Sequence, residues 1–213
     1  MTDVPIVHVV DDDEAVRLSL SFLLESAGFR VETHPSAVAF LDRASIPQRG
    51  CVVTDVRMPE MDGLTLQQKL VERGIALPVI VMTGHGDIPI AVQALKGGAV
   101  DFLEKPFDDE LLIRAIRAAL ERNQRDRNRR TETATLSARL AALTPREQEV
   151  LAALVEGHPN KTIAYDLGIS ARTVEVHRAR VMDKMQARNL PELIRMWLSL
   201  HPEGTGAGRP GTA

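Results

Sequence analysis

The sequence of 213 residues contains one cysteine, Cys51. A lone thiol excludes an intrachain disulfide and a thiolate metal cluster, and it suits a reducing cytosol. It lies in the apolar stretch Cys51-Val52-Val53, where a thiol behaves as a small hydrophobe. Aromatic residues make up only 3% of the chain, so its cores must be aliphatic, and an apolar content of 44% is enough for two of them. No stretch approaches ~20 uninterrupted apolar residues, which excludes a transmembrane helix. The N-terminal MTDVPIVHVVDDD has no basic segment followed by a long apolar one, so no secretory leader is expected there. These absences predict a cytoplasmic protein without a membrane partner. There is no internal repeat. The tail 201–213, HPEGTGAGRPGTA, is rich in Gly and Pro and is expected to be disordered.

Charge is unevenly spread. Residues 1–120 hold 11 Lys+Arg against 18 Asp+Glu, whereas 121–213 hold 15 against 11. An acidic half joined to a basic half suggests two jobs, the basic half being suited to phosphate backbones.

In the acidic half, short apolar runs alternate with helical periodicity. Runs at 6–10, 29–33, 51–54, 78–82 and 100–103 read as strands. Segments 15–27, 37–41, 88–96, 108–120 and one after Gly63 read as helices. Unbroken apolar runs suit strands buried on both faces of a parallel sheet. The prediction for 3–121 is therefore an α/β doubly wound parallel five-stranded domain of flavodoxin-like type. Residues 122–135 are polar without an apolar stripe, and 122–138 read as a linker or as the exposed end of the preceding helix. Residues 139–200 read as an all-α four-helix domain.

In parallel sheets, ligands bind beyond the carboxyl ends of the strands. The residues ending the runs are Asp11, Asp12 and Asp13, then Asp55, Thr83 and Lys105. One such Asp is usually a helix cap, and a single Thr or Lys is usually surface. Carboxylates, a hydroxyl and an ammonium at successive strand ends point instead to a shared site. Clustered carboxylates repel one another unless a cation neutralises them, and hard oxygen ligands favour Mg2+. A neutralised Asp55 is a workable nucleophile for phosphoryl transfer, with Lys105 and Thr83 holding phosphoryl oxygens.

The segments VVDDDE, TDVRMPEMDG, MTGHGD and FLEKPF resemble the signatures of CheY-like receiver domains, over residues 5–120. The resemblance implies that Asp11, Asp12, Asp55 and the backbone carbonyl of Arg57 hold Mg2+. It further implies that Asp55 accepts a phosphoryl group from a sensor histidine kinase. Thr83 would be the switch hydroxyl, Lys105 the phosphate-pairing lysine and Phe102 the switch aromatic. Asp13 exceeds what the family needs and is expected to cap a helix. The implied output is a rearranged dimer face, with Ile90, Val92, Lys96, Asp101 and Arg114 as candidates and a homodimer when phosphorylated. The domain would catalyse only its own phosphorylation and slow dephosphorylation.

In the basic half, Thr144-Pro145-Arg146-Glu147 has the pattern of a capping box with Pro in the first turn. Asn160 is expected to cap a second helix. After the turn Gly168-Ile169-Ser170, Ser170 is expected to cap a third, 171–185. Two short helices joined by a Gly-containing turn are the helix-turn-helix pattern. On the third helix, Val174, His177, Val181 and Met185 share one face, so His177 reads as a packing residue. Arg172, Glu175, Val176, Ala179 and Arg180 share the other. Residues 143–200 resemble the LuxR/NarL-type DNA-binding domain, and the whole chain resembles the FixJ-like family of response regulators. The implied partners are double-stranded promoter DNA and RNA polymerase. Glu175, Val176 and Ala179, with Arg172 or Arg178, are expected at base edges. Asn160, Lys161, Ser170, Thr173, Arg180 and Lys184 are expected at phosphates.

Three other readings compete. A small-molecule-sensing LuxR-type protein needs a ligand-binding domain, and the N-terminal half resembles a receiver instead. A haloacid dehalogenase-type phosphatase needs a second Asp two residues after its nucleophile, and Arg57 stands there. A regulator working without phosphorylation would not need the full set Asp11, Asp12, Asp55, Thr83 and Lys105.

Overall fold

Parallel pairing organises the N-terminal half of the computed structural model, which describes residues 4–43, 46, 48–84 and 88–201. Strands β1 (Ile6–Val10), β2 (Arg30–His34), β3 (Gly50–Asp55), β4 (Val79–Thr83) and β5 (Asp101–Glu104) form one sheet in the order β2-β1-β3-β4-β5. All four pairings are parallel. Helices α1 (Glu14–Ser26), α2 (Ala37–Leu41), α3 (Gly63–Glu72), α4 (Ile88–Lys96) and α5 (Asp109–Ala141) alternate with the strands.

Strands β1, β3 and β4 are buried along their whole length, which is why their sequences are nearly unbroken apolar runs. One side of the sheet packs Val10, Val52 and Val81 against Phe40 of α2 and Leu66 of α3. The other packs Val9, Val53 and Ile80 against Leu24 of α1 and Ile116 of α5. This is the expected doubly wound, five-stranded parallel architecture. Strands β2 and β5 each start one residue later than the apolar runs suggest, at Arg30 and Asp101.

The apolar stripe of α5 fades after Leu120, yet the helix runs to Ala141 over 33 residues. Residues 122–138 are helical throughout. This stretch contains no Gly or Pro, and Glu121–Arg125 and Arg122–Asp126 form i,i+4 ion pairs along it. Asn123, inside the stretch read as linker, is 3% exposed. Its amide donates to the carbonyls of Gln48 and Ala76, and its Oδ1 accepts from the Gly50 amide. The chain divides into two compact units between Arg127 and Asn128.

The second unit holds α6 (Pro145–Val155), α7 (Asn160–Leu167), α8 (Ala171–Met185) and α9 (Leu190–Leu200). They pack around Val150, Leu151, Ile163, Val174, Val181, Met185 and Leu193. The capping box forms as expected: Thr144 Oγ1 accepts from the Glu147 amide at 3.3 Å, and the Thr144 amide donates to Glu147 Oε2 at 2.8 Å. Ser170 Oγ caps α8 by accepting from the Thr173 amide at 3.1 Å. One expectation is corrected here. Asn160 does not cap α7 but is its first residue, because extended Pro159 takes the cap position without a side-chain bond. Among the described residues, no helix is long and apolar enough to cross a membrane. The tail from Pro202 onward, the segment 85–87 of MTGHGD and the expected domain start at Asp3 lie outside the described residues.

Candidate functional site

The β1–β3 register aligns Val10 with Thr54, so the next residues, Asp11 and Asp55, emerge side by side at the carboxyl ends. Thr83 closes β4, paired with Glu104 just before Lys105. The Lys105 ammonium lies 2.7 Å from Asp55 Oδ1 and 2.9 Å from Asp11 Oδ2. Asp55 Oδ2 accepts from the Arg57 amide at 2.6 Å. Asp11, Asp55 and Thr83 are buried, with exposures of 2%, 9% and 2%. Burial works against the Lys105 charge, but the hydrogen bonds it donates to Asp55 and Asp11 outweigh it and hold its pKa above the ordinary lysine value.

Two buried carboxylates share one ammonium, and the exposed Asp12 stands beside them. The pocket therefore keeps a negative excess and a set of hard oxygen donors, which fits a divalent cation. Asp13 is a helix cap: its Oδ1 accepts from the Ala15 amide at 2.8 Å and the Val16 amide at 3.4 Å. Gly63, which the sequence marked only as a helix boundary, lets α3 approach Asp55. A Cβ there would stand 2.2 Å from the Asp55 carbonyl oxygen. Its position directly after the capping Asp62 was the available signal.

Phe102 is half-buried in β5 and packs against the Val52–Val81 core. Of the expected dimer-face residues, Val92, Lys96 and Arg114 are exposed, Asp101 is half-buried, and Ile90 turns partly into the core. Ile88, Leu95 and Leu111 are also exposed on α4 and α5 and were missed. Ile88, Val92 and Leu95 follow the four-then-three spacing of one helical stripe, so the signal was present.

A groove of about 670 Å³ runs beside the site, lined by Val16, Leu20, Phe22, Leu23, Lys105 and Phe107. Phe22 is 76% exposed and Leu18, on the same helix, 64%. The helical reading of 15–27 rests on its apolar spacing and does not by itself mark which apolar residues face outward.

In the second unit, α8 buries Val174, Val181 and Met185 and half-buries His177. Arg172, Glu175, Val176, Ala179 and Arg180 are all exposed, as is Lys161 on α7. Three other expected contact residues are engaged inside the unit. Arg178 donates to Asn160 Oδ1 at 3.4 Å, tying α8 to α7. Lys184 donates to Glu147 Oε2 at 2.7 Å and to the Ala142 carbonyl at 3.2 Å. The Lys184 hydrogen bond, with that of the Thr144 amide, draws the Glu147 carboxyl down to a pKa of about 2.

Comparison with known proteins agrees with this geometry. Residues 7–117 match the family described as response regulator receiver domain, and residues 141–197 match the luxR family of bacterial regulatory proteins. The transcriptional regulatory protein FixJ of Azorhizobium caulinodans is 58% identical, covering 90% of this chain and 91% of its own. A solved structure of the response regulator StyR aligns with a TM-score of 0.83 at 44% identity, covering 91% of this chain and 98% of that one. Full-length FixJ from B. japonicum aligns with a TM-score of 0.58 at 46% identity, covering 93% and 98%.

Proposed function

This chain belongs to the FixJ-like response regulators, joining a receiver domain to a LuxR-family DNA-binding domain, and from that premise we propose how its residues divide the work. A sensor histidine kinase supplies the phosphoryl group. An oxygen of the Asp55 carboxylate attacks phosphorus, the bond to the donor imidazole breaks, and the imidazole leaves. The observation that carries this reading is the Lys105 ammonium held on both Asp55 and Asp11. It already stands where the negative phosphoryl oxygens will arrive. Asp11, Asp12, Asp55 and the Arg57 carbonyl would hold Mg2+, which when bound offsets the repulsion between phosphoryl oxygens and the carboxylate. The groove beside Lys105 receives the donor protein, because a phosphohistidine must be presented within reach of Asp55.

Once Asp55 carries the phosphoryl group, Lys105 exchanges its carboxylate contact for a phosphoryl oxygen. Thr83 hydrogen-bonds another, and Phe102 follows it inward. The faces of α4 and α5 then pair two receivers, through Val92, Lys96, Asp101 and Arg114 with the edge of Ile90. Pairing brings two DNA-binding domains to two half-sites of promoter DNA. Exposed Glu175, Val176, Ala179 and Arg172 read base edges, while Lys161, Thr173, Ser170 and Arg180 hold phosphates. Arg178 and Asn160 brace the helix-turn-helix, and Lys184 braces α6. Bound at a promoter in the cytoplasm, the dimer engages RNA polymerase. The chain performs no chemistry beyond its own phosphorylation and slow dephosphorylation.

The test is incubation with Mg2+ and acetyl phosphate, followed by intact mass and light scattering beside Asp55→Asn. Gain of one phosphoryl group with dimerisation, both lost in the mutant, is the expected result. Absence of any phosphoryl gain would overturn the reading.

A further inference from the structure

Phosphoryl transfer makes no use of His8, His34 or Glu32, yet the sheet brings their side chains together. The β1–β2 register pairs His8 with Glu32 and Val10 with His34. A step of two residues along a strand returns to the same face, so all three emerge on one side of the sheet edge, beneath α2. Phe40 of α2 covers them, its ring centre 5.2 Å from the His8 imidazole and 5.0 Å from that of His34. His8 is fully buried and His34 is 6% exposed. His8 Nδ1 lies 3.3 Å from His34 Nε2 and 3.8 Å from Glu32 Oε2. One ligand atom from each of the three falls within 4.8 Å of the others. Among the described residues no other group of His, Cys, Asp and Glu side chains converges in this way.

The spacing suits a small ion. Two imidazole nitrogens bound tetrahedrally at 2.0–2.1 Å stand about 3.3 Å apart. That is the separation of the two rings here, and the carboxylate stands about half an ångström farther than this from His8 Nδ1, with all three ligand atoms within 4.8 Å. Desolvation comes first among the effects on both rings, followed for His8 by the neighbouring His34 and for His34 by Arg43. Each pKa falls to about 4. Near neutral pH both rings are uncharged and each keeps a lone pair for a metal. His8 Nδ1 and His34 Nε2 are at hydrogen-bond distance, so without metal one of them carries the shared proton; His8 Nε2, which no hydrogen bond within the described residues holds, can take that proton when a metal binds and leave Nδ1 its lone pair. An imidazole, imidazole and carboxylate set favours Zn2+, or Ni2+ and Cu2+, over the hard cations suited to the Asp11–Asp55 pocket.

We propose that His8, His34 and Glu32 form a transition-metal site, best suited to Zn2+, which Arg43 occupies as a stand-in cation when no metal is bound. Arg43 NH1 pairs with Glu32 Oε2, and both side chains are partly exposed, at 31% and 26%. They form the solvent-facing side of an otherwise buried cluster. A metal enters there, displaces the guanidinium from the carboxylate, and takes the two ring nitrogens behind it. Bound metal links β1 to β2 directly below Asp11, whose amide already donates to the His34 carbonyl at 3.3 Å.

The experiment uses the full-length, tag-free protein, stripped with chelator and kept in excess Mg2+ so that the acidic pocket is occupied. Titration with Co2+ should give the visible bands of a tetrahedral site at one equivalent per chain. One equivalent of Zn2+ should displace it and raise the Tm. Glu32→Gln and His34→Gln should abolish the bands, while Asp12→Asn keeps them. Arg43→Ala, at a partly exposed position that does not endanger folding, should tighten Co2+ binding by roughly threefold or more. Absence of tetrahedral bands in the wild type, or bands surviving in Glu32→Gln and His34→Gln, would overturn the site. Unchanged affinity in Arg43→Ala would overturn the role given to Arg43.

Discussion

Lys105 and Asp55 are in direct contact, ammonium to carboxylate, at 2.7 Å. Asp11 Oδ2 is the second partner of the same ammonium, at 2.9 Å. On the proposed mechanism, phosphorylation of Asp55 would replace one Lys105 contact by another rather than create one. The proposed switch would then lie in where Lys105 and Thr83 are drawn, not in whether they are paired.

Replacement of Lys105 by Ala should leave Asp55 able to gain a phosphoryl group from acetyl phosphate but should abolish the accompanying dimerisation. Intact mass and light scattering on the same sample separate the two. The raised pKa of Lys105 also has a stability consequence. The pair stabilises the folded receiver fully below the ordinary lysine value of 10.5, and this is lost as pH rises through the higher folded value. In chelator, wild type should exceed Lys105→Ala in urea resistance at pH 8, with the difference shrinking at higher alkaline pH.

The exposed ring of Phe22 separates partner-dependent from small-molecule phosphorylation. Phe22→Ala should slow phosphotransfer from the cognate kinase roughly tenfold, the effect of losing about 1.4 kcal/mol of docking. The rate with acetyl phosphate should not change. Equal slowing with both donors would place Phe22 in the folding of α1 instead.

Glu147 gives the second domain an acid-sensitive tie. Its pKa of about 2 lies below the ordinary value of 4.5, because Lys184 and the Thr144 amide hold its charged form. A depressed carboxyl stabilises the fold above the ordinary value and loses that contribution as pH falls toward the folded one. Glu147→Gln should therefore lower the Tm at pH 7 by roughly 5 °C. It should also flatten the decline between pH 4.5 and about 2, which thermal scans across that window would record.

Asn123 should behave as part of the receiver, although it sits among linker-like residues. Asn123→Leu leaves the Gly50 amide and the carbonyls of Gln48 and Ala76 without their partner. The expected loss is about 2–4 kcal/mol of receiver stability in urea unfolding. Exposed Arg125→Leu, close by on the same helix, should change it by less than about 0.5 kcal/mol.

Contacts to phosphates and to bases should respond differently to salt. Lys161→Ala and Arg180→Ala should each weaken binding evenly across sequences and reduce the slope of log affinity against log salt by about 1. Glu175→Gln should instead relax preference at one base pair by about 1–3 kcal/mol. Fluorescence anisotropy with a set of substituted operators at several salt concentrations distinguishes them.

The alternation of strands and helices was legible because it rests on local rules. Buried parallel strands must be apolar throughout, which marks 6–10, 51–54 and 78–82, and a capping box marks the start of α6. The carboxyl-end rule alone then grouped Asp11, Asp55, Thr83 and Lys105, residues far apart in the chain. The outer face of α8 followed equally well from helical spacing. Local plausibility has limits: Asn160 looks like a cap, but extended Pro159 takes that position, and Lys184 looks free for a phosphate, but Glu147 of α6 holds it.

The sequence by itself therefore determined the two-domain plan, the grouping of residues at the strand ends and the exposed face of α8, because hydrophobic period and strand-end position are one-dimensional properties. The tertiary structure decided the partners. That Lys105 bridges two carboxylates, that Asn123 belongs to the receiver, and that His8 meets His34 and Glu32 all depend on strand register and helix packing. Those distances arise only when segments remote in sequence are brought together, and no local pattern encodes them.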